Sequence, residues 1–531
     1  METTEFNLLD EPWIRILDAN NNAKEVSLTT ALLEAHNISD LGGELPTQDV
    51  AVLRFILAVL HTVFSRVDES GEASPIDSPG AAMGRWKAIW DQKRFPQGPL
   101  KKYLESQKDR FWLFHPERPF GQVPEARIGT AYTASKLNGE LSESNNKIRL
   151  FPLNTGEGKK SVSYSEAARW LLHVNGFDDT SGKAKVKGLP SPGAGWLGKL
   201  GLITAVGHNL FETLMLNLTL LQDGSKPWGE NRPAWELDYP RSGERTEIPL
   251  PDNPAELLTL QSRRLLLNRE NGAVTGYRLL GGDFFPKVNA FSEQMTVWSL
   301  VKDKAVKSQE YVPRRHISAR QMWREFSTLF LEREGSHVPG VVKWISRLKQ
   351  DRLIEKTRMI SFRIASVQYG DKDFFVTDVF SDSLTFHAGL LSDLGSAWRL
   401  RIDDEVRRCS ELADAVSRLS KNIDIAAGGK GTADNAGEQL YYRLDEPFRE
   451  WLYTLDPEND GLDMEDKCLK WRKAAQQIAW NLGQELVEEA GTKAFVGREV
   501  TEKRQGKEIT VHYSAPESFN WFLYNITKIY T

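Results

Sequence analysis

Apolar residues recur at spacings of three and four along much of residues 395–531. An α-helix turns once in about 3.6 residues, so each of these sets lies on one face of a helix. A capping-box pair, Ser514 and Glu517, marks the start of the last helix. The apolar faces consist of Trp398, Ile402, Val406, Cys409, Ala413, Val416, Leu419 and Ile423; Tyr441, Leu444, Phe448, Leu452 and Leu455; Met464, Cys468, Trp471, Ala475, Ile478, Leu482 and Leu486; and Phe519, Phe522, Ile526 and Ile529. Four such helices bury their faces only against one another or against a partner, which predicts a C-terminal four-helix bundle.

Both cysteines of the chain, Cys409 and Cys468, lie on these apolar faces. A buried free cysteine usually behaves as a small apolar side chain, so we expect both to pack in the core. Two thiols are too few for a disulfide framework or a four-cysteine zinc site. Their scarcity is typical of a protein from a reducing compartment.

Residues 1–394 alternate in type. Helical patterns cover residues 47–66, 165–174 and 204–221, and strand-like runs cover residues 263–267 and 374–379. Residues 138–146 and 182–201 are rich in Gly, Asn and Ser and exceed ordinary connection lengths, which indicates mobile or functional loops. We therefore predict an α+β fold, with a large mixed domain over residues 1–394 and the four-helix bundle over residues 395–531.

Charge does not identify a partner by itself. The net charge is −5, and residues 395–531 hold 19 Lys+Arg against 24 Asp+Glu, which leaves 49 against 49 in residues 1–394. A balanced domain still forms a basic groove when its charges are segregated in space, so nucleic-acid binding is neither supported nor excluded.

The N-terminal sequence predicts neither export nor membrane insertion. The first ten residues contain two Glu and one Asp and lack the basic and apolar pattern of a signal peptide. The longest apolar stretch, residues 50–64, contains Arg54 and His61 and is shorter than the roughly 20 residues that span a bilayer. We expect a cytoplasmic protein with no membrane partner.

No local motif indicates a metal-dependent enzyme. The two closest of the nine histidines, His316 and His337, are separated by 21 positions. A zinc-binding helix or Cys/His module needs its ligands at far shorter spacing. We therefore expect no bound metal and no cofactor.

Residues 193–199 read Gly-Ala-Gly-Trp-Leu-Gly-Lys and match G-x-G-x-x-G and, up to its last residue, G-x-x-x-x-G-K-[ST]. The residue after Lys199 is Leu200, which lacks the hydroxyl that holds magnesium in the second motif. Both motifs also follow a buried strand, whereas Pro190 and Pro192 precede this one. A nucleotide-dependent enzyme using residues 193–199 is the alternative function.

The same stretch carries four lysines, Lys183, Lys185, Lys187 and Lys199, with no acidic residue between the first and the last. Bare glycine backbone approaches a phosphate chain closely, and lysines attract phosphates. This pattern indicates a cationic loop that contacts nucleic acid. A solvated surface loop is the competing interpretation.

Residues 6–16 read Phe-Asn-Leu-Leu-Asp-Glu-Pro-Trp-Ile-Arg-Ile. This segment resembles the N-L-L-x-x-x-W-I-x-V opening of the CasA family, the large subunit of the type I-E CRISPR surveillance complex Cascade. Residues 45–66, 111–120 and 231–235 resemble further family blocks in the same order, and the bundle agrees in position. Within these blocks we expect Trp13, Phe114 and Trp235 to be core residues.

The resemblance implies a subunit without catalytic activity. Members of the family read the protospacer-adjacent motif (PAM) in double-stranded DNA, help to start strand separation and recruit a separate helicase-nuclease. The implied partners are the other Cascade subunits with crRNA, target DNA and that helicase-nuclease. Guide pairing reads the long target in such complexes, so the protein needs to read only a short duplex tag.

The resemblance also implies site residues. The family's glycine loop falls in residues 182–198, with Gly188 the best match and Lys187 beside it. Its glutamine wedge aligns with Gln368, flanked by Val367 and Tyr369. The lysine that enters the PAM groove in the family falls near residues 281–283, which makes Lys287 a nearby candidate.

A flexible loop of the family matches residues 141–163, where Phe151 and Asn154 stand in the positions of its aromatic and amide residues. Phe151 fits a buried anchor equally well. Some members carry a cysteine cluster in mid-chain, but this sequence has none in residues 268–276, so the resemblance implies no zinc.

Overall fold

A computed structural model describes residues 3–137, 160–180, 188–238, 241–301, 309–333, 335–432, 435–459, 463–504 and 507–530. The chain divides into two compact units. Unit 1 comprises Met1–Met322, Thr328–Glu355 and Ile360–Ser383, and unit 2 comprises Trp323–Ser327, Lys356–Met359 and Leu384–Thr531. The main division thus follows Ser383, whereas the sequence pattern suggests a boundary after residue 394. No pattern along the chain indicates the two short upstream segments of unit 2.

Most strands belong to small sheets of unit 1. They are β1 Glu5–Asn7, β2 Ile14–Asp18, β3 Ala23–Val26, β4 Ile38–Leu41, β5 Trp112–Phe114, β6 Thr130–Thr133, β7 Leu202–Val206, β8 Leu221–Gln222, β9 Lys226–Pro227, β10 Arg263–Glu270, β11 Ala273–Gly281, β12 Trp298–Leu300, β13 Tyr311–Pro313, β14 Met359–Tyr369 and β15 Val376–His387. Among the described residues three sheets have three strands, in the orders β3-β2-β4, β10-β11-β6 and β15-β14-β7. Strand β14 runs antiparallel to β7, from Ser361 opposite Val206 to Ala365 opposite Leu202.

Ten helices precede the C-terminal part of the described chain. They are α1 Leu28–Leu33, α2 Pro46–Phe64, α3 Pro79–Asp91, α4 Gln97–Ser106, α5 Ala134–Leu137, α6 Tyr164–Phe177, α7 Leu210–Asn217, α8 Pro254–Leu258, α9 Phe326–Phe330 and α10 Gly340–Gln350. The helices predicted over residues 47–66 and 165–174 are confirmed by α2 and α6, and the strand predicted over residues 263–267 is confirmed by β10.

Helix α2 is the central core helix of unit 1. It is long and apolar enough to cross a membrane, but 94% of its most apolar window is buried inside the protein. Its Arg54 guanidinium forms two hydrogen bonds of 2.8 Å to the Glu293 carboxylate, and both side chains are at least 98% buried. The expected core residues Trp13, Phe114 and Trp235 are buried as well. Residues 50–64 are therefore apolar because they fill the core.

The helix predicted over residues 204–221 is confirmed only over α7, Leu210–Asn217. Strand β7 occupies its first part, and α7 starts only after Asn209, whose side chain accepts a hydrogen bond from the Glu212 amide. Asn217 at the end of α7 bonds the backbone N–H and C=O of Ala205 at 3.0 and 2.6 Å. These bonds fold the helix back along the strand, a long-range pairing that helical periodicity does not reveal.

Unit 2 contains the four long helices that the apolar pattern predicts. Its elements are α11 Ser396–Ala427, α12 Ala436–Tyr453, α13 Met464–Glu488, α14 Thr492–Val496, β16 Arg498–Arg504, β17 Lys507–Tyr513 and α15 Ala515–Lys528. Helix α11 packs against α12, α13 and α15, and α13 packs against α12 and α15. The predicted α+β fold with a C-terminal helical bundle is confirmed. Cys409 and Cys468 are both unpaired and buried in it, as expected.

Two details of unit 2 differ from the prediction. The β16–β17 hairpin stands between α14 and α15, where no strand was expected, and its Val500 and Val511 pack on a small apolar cluster around Ala494 and Tyr513. On α13, Ile478 is only half-buried, while Ala479 is fully buried. Ile478 therefore lies at the edge of the buried face and not at its centre, because the face runs from Ala475 through Ala479 to Leu482.

Candidate nucleic-acid interface

Gln368 lies near the end of strand β14, and its side chain is exposed to solvent. Its side-chain oxygen Oε1 accepts a hydrogen bond from the Ser318 hydroxyl, and its backbone carbonyl accepts one from Thr377 Oγ1 at 3.0 Å. Successive strand side chains point to opposite faces, so the neighbouring Val367 points inward and is 3% exposed. Val367 thus packs in the core, and the expected contact between its side chain and DNA is not available in this conformation.

The chain reverses direction directly after Gln368. The Gly370 amide donates a hydrogen bond of 2.8 Å to the Phe375 carbonyl and closes a tight turn between β14 and β15. Within this turn Lys372 and Asp373 have φ values of 53° and 59°, in the left-handed region. Consecutive non-glycine residues rarely adopt this conformation without support from their surroundings. Residues 368–377 are called the Gln368 hairpin below.

Arg315 supplies that support. Its guanidinium forms two hydrogen bonds to the Asp373 carboxylate, at 2.7 and 2.8 Å. Its Nε donates a third, of 2.5 Å, to the Gly198 carbonyl, and its Cζ lies 4.7 Å from the centre of the Tyr369 ring. A guanidinium group suits this combination of bidentate pairing and cation–π contact. Arg315 thus clamps the Gln368 hairpin to the segment that ends at Gly198.

Tyr369 is half-buried and is anchored by its hydroxyl, which donates a hydrogen bond of 2.5 Å to the Phe177 carbonyl. Burial raises the pKa of Tyr369 well above its usual range, so the hydroxyl stays a donor at all working pH values. A Cβ on Gly198 would lie 2.1 Å from this hydroxyl, so only glycine permits the close approach. Although it was predicted beside Gln368 as a DNA contact, Tyr369 is placed to hold the hairpin.

The glycine segment, defined as residues 188–198, lies against the same hairpin. Just before it in the described chain, the Thr180 amide donates a hydrogen bond of 2.8 Å to the Asp373 carbonyl. Gly188 is exposed, has a φ of 85° and has open space on its Cβ side. Both flanks of the predicted glycine loop are therefore bonded to the Gln368 hairpin region. Lys187, Phe151 and Asn154 lie outside the described residues.

The same packing argues against the alternative phosphate loop at residues 193–199. Trp196 and Leu197 are 5% and 8% exposed, so the middle of the segment is buried. A Cβ on Gly195 would lie 2.3 Å from the Gly176 carbonyl of α6. The glycines of this motif allow close backbone packing, and the backbone is not open to cradle a nucleotide phosphate. In the described part of the chain no group of three or more His, Cys, Asp or Glu side chains is arranged to hold a metal.

Lys287 is exposed and belongs to a group of cations beside the glycine segment. Burial lowers the pKa of Lys199, and the positive charges of Lys287, Arg245, Arg263 and Arg315 lower it further. Sequence reasoning identified Lys199 only as part of a cationic loop and missed Arg245 and Arg315. No local pattern distinguishes these arginines from ordinary surface arginines, because their partners lie far away along the chain.

The family model for CRISPR-associated protein Cse1 matches residues 7–482. The CasA/Cse1 protein of Thermus thermophilus is 29% identical over 432 residues, which cover 80% of this chain and 79% of that protein. The crystal structure of Thermobifida fusca Cse1 has a TM-score of 0.81 and 27% identity, with 99% of this chain and 98% of that chain covered.

More distant structures share the fold. Cse1 from Acidimicrobium ferrooxidans has a TM-score of 0.77 at 23% identity and is covered completely, as is this chain. A chain of a CRISPR RNA-guided surveillance complex has a TM-score of 0.68 at 18% identity. These matches define a CRISPR-associated protein. The chain belongs to the Cse1 family, also called CasA, and the resemblance of its four sequence blocks is confirmed.

Proposed function

We propose that this Cse1 protein is the non-catalytic large subunit of a type I-E Cascade-like complex in the cytoplasm, assembled with crRNA and the other Cascade subunits. In that complex it recognises the PAM in double-stranded DNA, promotes duplex opening and R-loop formation, and recruits the helicase-nuclease for antiviral defence. Family membership supports this role, as does the likeness of the fold to a chain of an RNA-guided surveillance complex.

The observation that carries the proposal is the exposed Gln368 beside the glycine segment. An exposed amide on a rigid turn is suited to enter a duplex, because the Arg315 clamp limits its movement. The glycine segment offers backbone at the same place, which suits the narrow minor groove. Motif reading and strand separation would then take place side by side, with guide pairing reading the remaining target.

Reconstitution tests this function directly. The complex, assembled with crRNA and the other Cascade subunits, should bind duplexes in a manner that depends on the motif beside the target. Omission of this subunit should abolish that dependence. Equal binding to every motif would refute PAM recognition. The absence of any duplex binding would indicate that the subunit is a helical scaffold without DNA contact. A nucleotide titration of the purified chain tests the alternative enzyme, for which we expect no binding.

The three lysines that precede the glycine segment yield a second test. Replacing Lys183, Lys185 and Lys187 together by alanine should weaken binding to all duplexes alike and reduce the dependence of affinity on salt concentration. Each phosphate contact releases counterions, so each loss makes the slope of log affinity against log salt shallower by about 0.9. Preference among motifs should survive. An unchanged slope would favour the competing interpretation, in which these residues form a solvated surface loop that does not contact DNA.

The bundle is proposed to act mainly on protein partners. Residues 395–531 carry 24 acidic against 19 basic side chains, which disfavours broad contact with phosphates. We expect the bundle to contact neighbouring subunits and to guide displaced DNA through a few segregated cations.

A further inference from the structure

A small cavity of about 20 Å³ lies between the glycine segment and the chain that follows β11. Three cationic side chains line it, those of Lys199, Arg245 and Arg263. Aromatic side chains including Trp196 and Phe284 form much of the remaining wall. The cavity is large enough for a group the size of one water molecule, such as a single phosphate oxygen, and too small for a nucleobase.

Lys199 is positioned by the backbone that packs on the Gln368 hairpin. It ends the short helical turn Leu197–Lys199, and its amide donates a hydrogen bond of 3.0 Å to the Trp196 carbonyl. The preceding carbonyl, that of Gly198, is bound by Arg315. The backbone of Lys199 is therefore fixed one residue from the Arg315 clamp, and its side chain lines the cavity.

Arg245 is held equally firmly on the opposite side. Its guanidinium lies 4.0 Å from the centre of the Phe284 ring and donates a hydrogen bond to the Pro190 carbonyl. The Phe284 amide in turn bonds the Thr246 carbonyl at 3.1 Å. Arg245 thus connects the glycine segment to the chain that leads to Lys287.

The acidic groups around the cavity are already engaged. Asp178 bonds Arg263 at 2.6 Å. Asp283, which lines the cavity, forms ion pairs with Arg264 at 2.6 Å and with Arg241 at 2.9 Å. Across the residues that the structure describes, neither Lys199 nor Arg245 forms an ion pair with a carboxylate. Glu247 acts on Arg245 only at a distance.

The protonated form of Lys199 is disfavoured by this environment. Burial, and then the charges of Arg263, Lys287, Arg245 and Arg315, lower the pKa of Lys199 to about 8. Arg263 and Arg315 are neutralised by Asp178 and Asp373. Lys199, Arg245 and the exposed Lys287 are left without a carboxylate partner in the described chain. An anion in the cavity would compensate them.

We propose that Lys199, Arg245 and Lys287 form a binding site for one phosphate of the DNA backbone, beside the Gln368 hairpin. This inference rests on the proposed function, because it assumes that the DNA duplex approaches the glycine segment. The cavity has no room for a base, and Lys287, which lies outside its lining, is exposed to solvent. A backbone phosphate of DNA is therefore favoured over a whole nucleotide bound in the cavity. The site would fix the position of the duplex without reading its sequence.

The test replaces Lys199 by methionine, which keeps the length of the side chain and removes its charge. In the assembled complex, Lys199→Met should weaken binding about tenfold for every duplex and make the salt slope shallower by about 0.9. Targets with premelted first pairs should not restore binding, because the lost contact is to phosphate. In the isolated chain, the same variant should raise the midpoint of thermal unfolding by about 2 °C, because it removes an uncompensated partly buried cation.

Two further variants separate this role from a structural one. Lys136→Met removes a lysine that does have a carboxylate partner, Asp179 at 2.7 Å, so it should lower the unfolding midpoint and leave the salt slope unchanged. Lys199→Arg keeps its charge at all working pH values. Wild-type duplex affinity should fall as the pH rises from 7 to 9 and Lys199 loses its proton, and Lys199→Arg should remove that fall.

Each other outcome contradicts the proposal. A lowered unfolding midpoint with an unchanged salt slope in Lys199→Met would make Lys199 a structural residue. Loss of crRNA assembly with normal duplex binding would assign the site to RNA. Binding of inorganic phosphate or a nucleotide to the isolated chain, without any effect of Lys199→Met on duplexes, would assign it to a small anion. Loss of motif dependence in the wild-type complex would refute the proposed function alone, since the salt slope on arbitrary duplexes still measures the phosphate contact.

Discussion

Gln368→Ala should fold normally and bind duplex DNA within the assembled complex, yet form R-loops about tenfold more slowly on fully paired targets. The side chain is exposed and the hairpin is held by Arg315 and Asp373, so its loss leaves the fold intact. Opening the first base pair disrupts stacking worth about 1.4 kcal/mol per step. A wedge that compensates one such step changes the opening rate about tenfold.

Rescue distinguishes a wedge from a residue that merely binds. Targets whose first pairs beside the motif are mismatched are already open, so Gln368→Ala should form R-loops on them at nearly the wild-type rate. Gln92→Ala, which removes an exposed glutamine at the end of α3, serves as the matched control and should behave as wild type. Equal R-loop rates for Gln368→Ala and wild type on paired targets would exclude the wedge.

Leu482→Asp should unfold the bundle of unit 2. Leu482 lies on α13 and is 2% exposed, so the aspartate would place an unpaired carboxylate in the apolar interior. Burying such a group, together with the lost packing, costs about 3–5 kcal/mol. Urea unfolding of the full chain, followed by far-UV circular dichroism, should show a separate transition at a much lower midpoint.

Ile478→Asp is the matched comparison on the same helix. Ile478 is half-buried, so its aspartate keeps contact with water and should cost about 1 kcal/mol or less. The order of the two variants therefore measures the orientation of α13. Equal destabilisation by both would contradict the buried face that runs through Ala475, Ala479 and Leu482.

Local periodicity predicted much of the fold. Helices α2 and α6 and the four long helices of unit 2 follow from the spacing of apolar residues, because a helix is stabilised by contacts between neighbours along the chain. The β16–β17 hairpin and the split of residues 204–221 into β7 and α7 did not follow. Their stability depends on partners such as Asn217 with Ala205, which only the folded chain brings together.

The candidate site divides in the same way. Gln368 and Gly188 were found by likeness to a family, since neither residue has a chemistry that marks it in the sequence. The order of residues along the chain could not reveal that Arg315 reaches Asp373, 58 positions away, and Gly198, 117 positions away. It also could not separate Val367, which is buried, from the exposed Gln368 beside it. The spacing of apolar residues specifies which segments become helices. The burial of a charged side chain and the charges around it depend instead on contacts between distant segments of the chain.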